Sequence, residues 1–279
     1  MAEPRVVMSG VALGESPRWH DGRLWFADWG AREVIALAAD GTSEVILSAP
    51  SMPFCIDWLP DGHLLIVSGR DGLLLAQEPD GSLATYADLT GISRHPWNDI
   101  VVDGRGNTYV NTIGFDFPGG QFAPGFVALV TPDGAVRQVA DGLAFPNGMA
   151  VTPDNKTLIV AESYGERLTA FDIVEDGSLS NPRVWASTPG DHPDGICLDA
   201  ESAVWYADVG SSRCVRVREG GEVSQTVMLD RGCFACMLGG ADRKTLYVVA
   251  ARFPDAMRGG ERTGEVVAVE TAVSGAGWP

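Results

Sequence analysis

The sequence predicts an all-β fold, a six-bladed β-propeller with a central channel and very little helix. Six segments share one pattern, in which an opening residue starts an apolar run that is followed by an Asp/Gly-rich turn and a second apolar run. Successive opening residues are 40, 43, 49, 47 and 42 residues apart, a period typical of four-stranded propeller blades. The apolar runs are short and rich in β-branched and aromatic residues, and none keeps a 3.6-residue period over ten residues.

The six units fill nearly the whole chain, so we expect one domain over residues 1–279. A ring of sheets hides its edges only when its two ends meet. We therefore expect Arg5–Leu13 to join the blade that ends with Gly264–Thr271. In chain order, the opening residues are Glu15, Cys55, Asn98, Asn147, Asp194 and Cys236.

Composition and charge exclude several classes of partner. Apolar residues make up 45% and charged residues 20% of the chain, as in soluble globular proteins. The net charge of −17 repels nucleic-acid backbones and anionic membranes, so we expect neither as a partner. No apolar run approaches the roughly 20 residues that span a bilayer, and no secretory signal starts the chain. An odd number of cysteines, five, is typical of free thiols in a reducing compartment, so we expect a cytoplasmic protein. Nothing in the composition indicates the oligomeric state.

The opening residues predict a metal site. Equivalent positions of a repeat are related by rotation about the propeller axis, so they should form a ring around the channel. Glu15 and Asp194 would bring two carboxylates to this ring, and Asn98 and Asn147 two amides. Two carboxylates alone would repel each other, whereas a divalent cation would bind both. Oxygen donors favour Ca²⁺, Mg²⁺ or Mn²⁺, and Zn²⁺ also accepts carboxylates. Asn and Asp are also common at turns without any ligand, and this second interpretation stays open.

The turn before Asp194 has its own signature. In Pro193-Asp194-Gly195, proline presets one backbone angle and glycine permits an unusual one, which places Asp194 at a sharp start of a strand. The spacing Cys233-Phe-Ala-Cys236 resembles a redox or zinc motif, but no second pair exists. We therefore interpret these cysteines as structural.

Several motifs resemble the SMP-30/gluconolactonase/LRE-like family, and the similarity covers essentially the full length. The motifs are Glu15-Ser16-Pro17 before Trp19, Trp97-Asn98-Asp99, Pro146-Asn147-Gly148, Pro193-Asp194-Gly195 and Cys233-Phe-Ala-Cys-Met-Leu-Gly-Gly240. The resemblance implies a six-bladed propeller with one catalytic divalent metal in the channel and hydrolysis of lactones, often sugar lactones. It also implies that Glu15, Asn147 and Asp194 ligate the metal and that Asp194 is the general base. Asn98 would then contact substrate or complete the coordination.

One position departs from the family. Its sugar-lactonase members carry an arginine two residues before the equivalent of Asn98, where this chain has Pro96. Arg94 is near but out of register. A lactone or ester less polar than gluconolactone is therefore plausible as substrate. Trp97, the residue between Pro96 and Asn98, is a further candidate for substrate contact.

Two histidines lie beside opening residues. His95 and His192 are candidates for substrate contact or proton transfer at the channel mouth. No G-x-S-x-G nucleophile motif exists, and the four histidines are scattered over the repeat units. A serine triad is therefore not expected.

A long Gly/Pro-rich segment, Phe115–Gly125, interrupts the repeat. It is either an ordinary surface loop or a lid over the channel mouth. In the second case Phe115, Phe117 and Phe122 would offer apolar contact to a ligand.

These observations favour metal-assisted hydrolysis of a small lactone or ester, with Asp194 accepting a proton from water. Two alternatives stay open at this point. One is phosphotriester hydrolysis, and the other is a non-catalytic binding scaffold with a structural ion.

Overall fold

The computed structural model describes residues 3–253 and 261–277. The other residues of the expected domain, 1–2, 254–260 and 278–279, lie outside the described residues. Within the described ranges the chain forms six four-stranded antiparallel sheets and one turn of 3₁₀-helix, Ser163–Gly165. The innermost strands of successive sheets contact each other around a closed ring. The predicted six-bladed propeller with very little helix is confirmed. None of the described segments forms a helix long and apolar enough to cross a bilayer.

The strands, in chain order, are β1 (Arg5–Val11), β2 (Gly14–His20), β3 (Arg23–Asp28), β4 (Glu33–Leu37), β5 (Ser43–Ser48), β6 (Phe54–Trp58), β7 (Leu64–Ser68), β8 (Leu73–Gln77), β9 (Leu83–Asp88), β10 (Trp97–Val102), β11 (Thr108–Thr112), β12 (Gly125–Val130), β13 (Val136–Leu143), β14 (Pro146–Val151), β15 (Thr157–Glu162), β16 (Arg167–Ile173), β17 (Leu179–Ser187), β18 (Pro193–Leu198), β19 (Val204–Asp208), β20 (Arg213–Val217), β21 (Val223–Met228), β22 (Gly232–Gly239), β23 (Thr245–Ala251) and β24 (Gly264–Glu270).

The ring closes by combining both ends of the chain. Blades 1 to 5 each contain four consecutive strands, starting with β2, β6, β10, β14 and β18 next to the axis. Blade 6 contains β22, β23 and β24, and its outermost strand is β1. Arg5 pairs with Ala268 and Val11 with Gly264 in an antiparallel ladder. The expected joining of the two ends is confirmed, with strands one or two residues shorter than expected.

The core is distributed between the blades. Short β-branched and aliphatic runs bury both faces of each sheet, so apolar side chains of one blade pack against those of the next. Val101 and Leu129 of blade 3, for example, share a buried cluster with Met149 and Leu158 of blade 4. Because every pair of neighbouring blades packs in this way, the side chains nearest the axis are held by the blades on both sides.

Polar side chains connect neighbouring innermost strands close to the axis. The hydroxyl of Ser16 accepts a hydrogen bond from the backbone N–H of Ile56 at 3.0 Å. Asp57 in turn accepts one from the N–H of Val102 at 2.7 Å, and Asp99 makes the same kind of contact to blade 4. These bonds satisfy buried backbone groups and fix the heights of the first four blades relative to each other.

Candidate functional site

The opening residues lie where the innermost strands begin. In five blades the opening residue is the second residue of its strand, whereas Cys236 is the fifth residue of the longer β22. A small cavity lies at this end of the channel. Five of the six opening residues line it, namely Glu15, Cys55, Asn98, Asn147 and Cys236. Asp194 adjoins it through its neighbour Gly195, which is part of the lining.

The strands carrying oxygen donors are irregular at these positions. Between β14 and β15 the pairing register shifts between Pro146 and Met149, and Asn147 lies inside the shift. Asn98 and Asp194 lie inside equivalent shifts, and Glu15 borders one. The blade that carries Cys55 has a regular ladder here. The blade that carries Cys236 also shifts register, between Cys233 and Ala235. A β-bulge re-aims a side chain, and a register shift accompanies each of the four side chains that carry oxygen without being confined to them.

Two glycines let the innermost strands approach each other. A Cβ on Gly148 would lie 2.5 Å from the backbone oxygen of Asp194, and one on Gly195 would lie 2.2 Å from Cβ of Ala235. Gly195 is not among the residues with positive φ. The expectation that it permits an unusual backbone angle was therefore wrong. Its function is to leave room for the next blade.

Hydrogen bonds link the amide side chains across three blades. Nδ2 of Asn98 donates to Oδ1 of Asn147 at 3.4 Å, and Nδ2 of Asn147 donates to the Ser163 hydroxyl at 3.3 Å. That hydroxyl donates to the backbone oxygen of Pro193 at 2.8 Å. The side chain of Asn111 also donates a hydrogen bond, to the backbone oxygen of Asn147 at 2.6 Å. The buried Asn111, which sequence reasoning missed, therefore fixes the backbone that presents Asn147.

The two carboxylates are electrostatically unfavourable in this setting. Burial raises the pKa of Glu15 well above its ordinary value, and the charges of Asp194 and Asp99 add to this effect. The pKa of Asp194 is also raised well above its ordinary value, first by burial and then by Asp99 and Asp208. Oδ1 of Asp194 is buried without a hydrogen-bond partner. A cation at this position would supply the missing partner and relieve the repulsion.

The donor set fits a hard divalent ion. In the described parts of the chain, no group of three or more His, Cys, Asp and Glu side chains has an arrangement that could hold a metal. The site combines two carboxylates with two amides, and hard cations such as Ca²⁺ accept both kinds of oxygen. The two cysteines of the ring are buried and free, and the pKa of Cys55 is raised by burial.

A buried guanidinium closes the site from below. Arg18 is 5% exposed, and its nitrogens lie 3.8 Å from carboxylate oxygens of both Asp57 and Asp99. Its Nη2 donates to the backbone oxygen of Ile100 at 2.8 Å. Burial raises the pKa of Asp57 to about 6, although the Arg18 charge opposes the change. Arg18 also lines a second small cavity, which reaches the segment 275–277, so it lies between two spaces on the axis.

Two other candidates for substrate contact, Trp97 and Phe117, do not line the cavity. Trp97 is completely buried, and its ring packs edge-on against Phe126 at 5.5 Å. It does not line the cavity, so its placement gives no support for substrate contact. Phe117 is 45% exposed and packs against Phe115 and Phe145 beside the channel mouth. The segment that carries it is a loop between β11 and β12, and its expected last residue, Gly125, already belongs to β12.

The two histidines lie at the rim and do not line the cavity. Nδ1 of His95 lies 3.2 Å from a carboxylate oxygen of Asp116, in the loop before β12. His192 is exposed, and its Nδ1 lies 2.9 Å from the backbone oxygen of Ser163. Both rings therefore hold loops at the mouth, one on each side of the amide pair.

These features define a class of protein: a six-bladed propeller with an oxygen-lined site at one end of its channel. The SMP-30/gluconolactonase/LRE-like region matches residues 13–252, and the chain belongs to that family. It is 27% identical over 257 residues to the 6-deoxy-6-sulfogluconolactonase of Pseudomonas putida, covering 88% of this chain and 86% of that protein. It is 32% identical over 170 residues to the diisopropyl-fluorophosphatase of Loligo vulgaris, covering 54% and 52%.

The fold is shared with solved structures. The calcium-binding protein regucalcin of Agrobacterium tumefaciens superposes with a TM-score of 0.82 at 22% identity, covering 100% of this chain and 99% of that chain.

Proposed function

We propose that the protein is a divalent-metal-dependent hydrolase that opens lactones, with Glu15, Asn147 and Asp194 holding the ion. The observation that carries the proposal is the convergence of Glu15 and two amides on one cavity, next to Asp194, whose Oδ1 is buried and unpartnered. The similarity to a sulfogluconolactonase over most of both chains supports lactones as the substrate class.

The residues at the site have separate tasks. A bound divalent ion supplies Lewis-acid chemistry, since it polarises an ester carbonyl and makes nearby water more acidic. The carboxylates of Glu15 and Asp194 provide the negative charge that retains a cation. Asn98, whose Nδ2 lies 3.4 Å from Oδ1 of Asn147, completes the coordination or orients the substrate carbonyl. Arg18 and the aspartates around it close the space below.

Asp194 is the proposed general base. Next to a cation its carboxylate stays ionised at neutral pH, although burial raises its pKa in the metal-free protein. It accepts a proton from the water whose oxygen attacks the acyl carbon. The ring C–O bond then breaks, and the leaving alkoxide takes this proton back. The product is the open hydroxy acid.

The direct test measures lactone hydrolysis before and after chelation. We expect activity to fall to background in EDTA and to return with Ca²⁺, Mn²⁺, Mg²⁺ or Zn²⁺. Asp194→Asn keeps an oxygen donor but cannot accept the proton, so kcat should fall by about 10²–10⁴. Asp242→Asn is the matched control, because Asp242 lies in an exposed turn. Full activity in metal-free protein would contradict the proposal.

Phosphotriester hydrolysis is a second candidate, because the chain is 32% identical to a diisopropyl-fluorophosphatase over about half of its length. A panel of lactones, aryl esters and organophosphates, assayed with one metal-loaded preparation, separates the two. Tight metal binding without turnover on any of these would favour a scaffold with a structural ion.

We also propose one domain in a reducing cytoplasm. Closure of the innermost strands into a single ring supports the first part of this proposal, and the five free, buried cysteines support the second.

A further inference from the structure

Five aromatic side chains form a continuous cluster beside the candidate site. Centroids of the rings in contact lie 4.7 to 6.4 Å apart. Two rings are buried and form a floor, and three are about half exposed, at 45 to 50%. The aromatic cluster consists of Phe115 and Phe145 in the floor, with Phe117, Phe122 and Tyr164 on the open face.

Blade 4 anchors the cluster directly to the amide pair. Phe145 precedes Pro146-Asn147, and its φ of 60° turns the chain into β14. Tyr164 follows Ser163, the residue whose hydroxyl accepts a hydrogen bond from Asn147. The backbone N–H of Ser163 donates to the oxygen of Phe145 at 3.0 Å. The two aromatic residues of blade 4 are therefore fixed by the same contacts that hold Asn147.

The loop before β12 supplies the other three rings and is held from the opposite side. His95, three residues before Asn98, contacts Asp116 in this loop at 3.2 Å. The N–H of Gly120 donates to the oxygen of Asp116 at 2.7 Å, which tightens the loop. The cluster therefore lies between the starts of blades 3 and 4, next to the two amides of the site.

We propose that the aromatic cluster is a subsite for a hydrocarbon arm on the substrate, so that the preferred substrates are lactones with an apolar substituent. This inference rests on the proposed function for the reacting ring, whereas binding of the arm depends only on the cluster. Four of the five side chains have no polar atom, and the Tyr164 hydroxyl is the only hydrogen-bonding group among them. A polyhydroxylated sugar arm would lose water there without gaining partners.

The size of the effect follows from the area that the arm buries. Each methylene that moves from water onto apolar surface improves binding by about fourfold. Four additional methylenes should therefore improve kcat/KM by up to about 200-fold when they are fully buried. Rigid aromatic rings lose little side-chain entropy when a ligand orders them, so most of this gain should be retained.

The experiment compares γ-valerolactone with γ-nonanolactone, which differ by four methylenes in the arm. We expect kcat/KM of the wild-type protein to be higher for the longer lactone by at least tenfold. The ratio should fall at least threefold in Phe122→Ala and in Tyr164→Ala, two variants that each remove a half-exposed ring. Val223→Ala, an exposed apolar residue on an outer strand, is the control and should keep the wild-type ratio.

A binding measurement separates this inference from the proposed chemistry. The γ-lactams with the same arms are not opened, so calorimetry reports the contribution of the arm alone. Arm-dependent lactam binding without lactone hydrolysis would support the subsite and contradict the lactonase proposal. Equal binding of both lactams, or an unchanged ratio in both ring variants, would overturn the subsite. A loss of self-association in Phe122→Ala with an unchanged ratio would also overturn it, and would assign the cluster to a contact between copies.

Discussion

Replacing Arg18 by methionine should destabilise the protein, and the loss should grow with pH. At 3.8 Å and an effective dielectric constant of about 20, each guanidinium–carboxylate pair contributes about 4 kcal/mol of attraction, largely offset by desolvation. Removing one partner of such a buried pair costs about 3–5 kcal/mol, because the remaining charges stay in the interior. Methionine has similar length, so the cavity left behind is small.

The pH dependence of this loss in unfolding free energy shows whether carboxylates left without a partner cause it. The pKa of Asp57 is about 6 with Arg18 present and rises further without the guanidinium. A carboxyl group with a raised pKa in the folded state stabilises the protein at low pH, and this contribution is lost as pH rises through that pKa. At pH 5 the orphaned Asp57 carboxyl is mostly protonated. The remaining loss then comes mainly from the backbone oxygens of Ile100 and Pro17, which lose the hydrogen bonds that Arg18 donates, about 1–3 kcal/mol.

Urea unfolding at pH 5 and pH 8, both with EDTA, measures the two losses. Arg23→Met is the control, because Arg23 pairs with the exposed Glu44 and should lose less than about 1 kcal/mol. The double variant Arg18→Met/Asp57→Asn should recover part of the loss at pH 8. An equal loss at both pH values, or one no larger than in Arg23→Met, would refute the reasoning.

Three further predictions concern packing, charge and closure of the ring. Gly195→Ala should cost about 1–3 kcal/mol in urea unfolding, since its Cβ would overlap Ala235 of blade 6, whereas the open Gly91→Ala should be neutral. The thermal midpoint of metal-free protein should fall as pH rises above about 4, because the pKa values of Glu15 and Asp194 are raised in the folded state. Glu15→Gln should flatten this dependence, and an equally steep curve would exclude the carboxylate as its source. Removing residues 1–11 should give aggregated protein by sedimentation, because the edge of β24 loses its partner. Removing only 1–4 should be harmless, and a soluble 12–279 fragment would show that β1 is dispensable.

The blades and their closure could be predicted because they depend on local signals. Turn residues and short apolar runs recur at a constant period, and equivalent positions of a repeat occupy equivalent places around an axis. That symmetry placed Asn98 and Asn147 side by side although 49 residues separate them. The β-bulges at these positions could not be predicted, because a register shift depends on the neighbouring strand.

Other features depend on contacts that no local pattern carries. In the sequence, Arg18 looks like an ordinary polar residue of a half-buried strand. Its partners Asp57 and Asp99 could not be predicted because they are 39 and 81 residues away. Trp97 is different, since a signal was present. Neighbouring residues of a strand face opposite sides, which already argued against the prediction that the side chain adjacent to Asn98 contacts substrate.

The strand that closes the ring, β1, is synthesised long before the strand with which it pairs. β1 emerges from the ribosome before the other described strands, but its partner β24 begins about 250 residues later. Five blades consist of neighbouring hairpins and can form as the chain grows, whereas the sixth needs both ends of the protein. Until then β1 has no partner strand, and the outer edge of β24 is covered only when β1 pairs with it. A nascent chain should therefore depend on protection at this blade, and premature termination before residue 264 should leave every copy with an open ring.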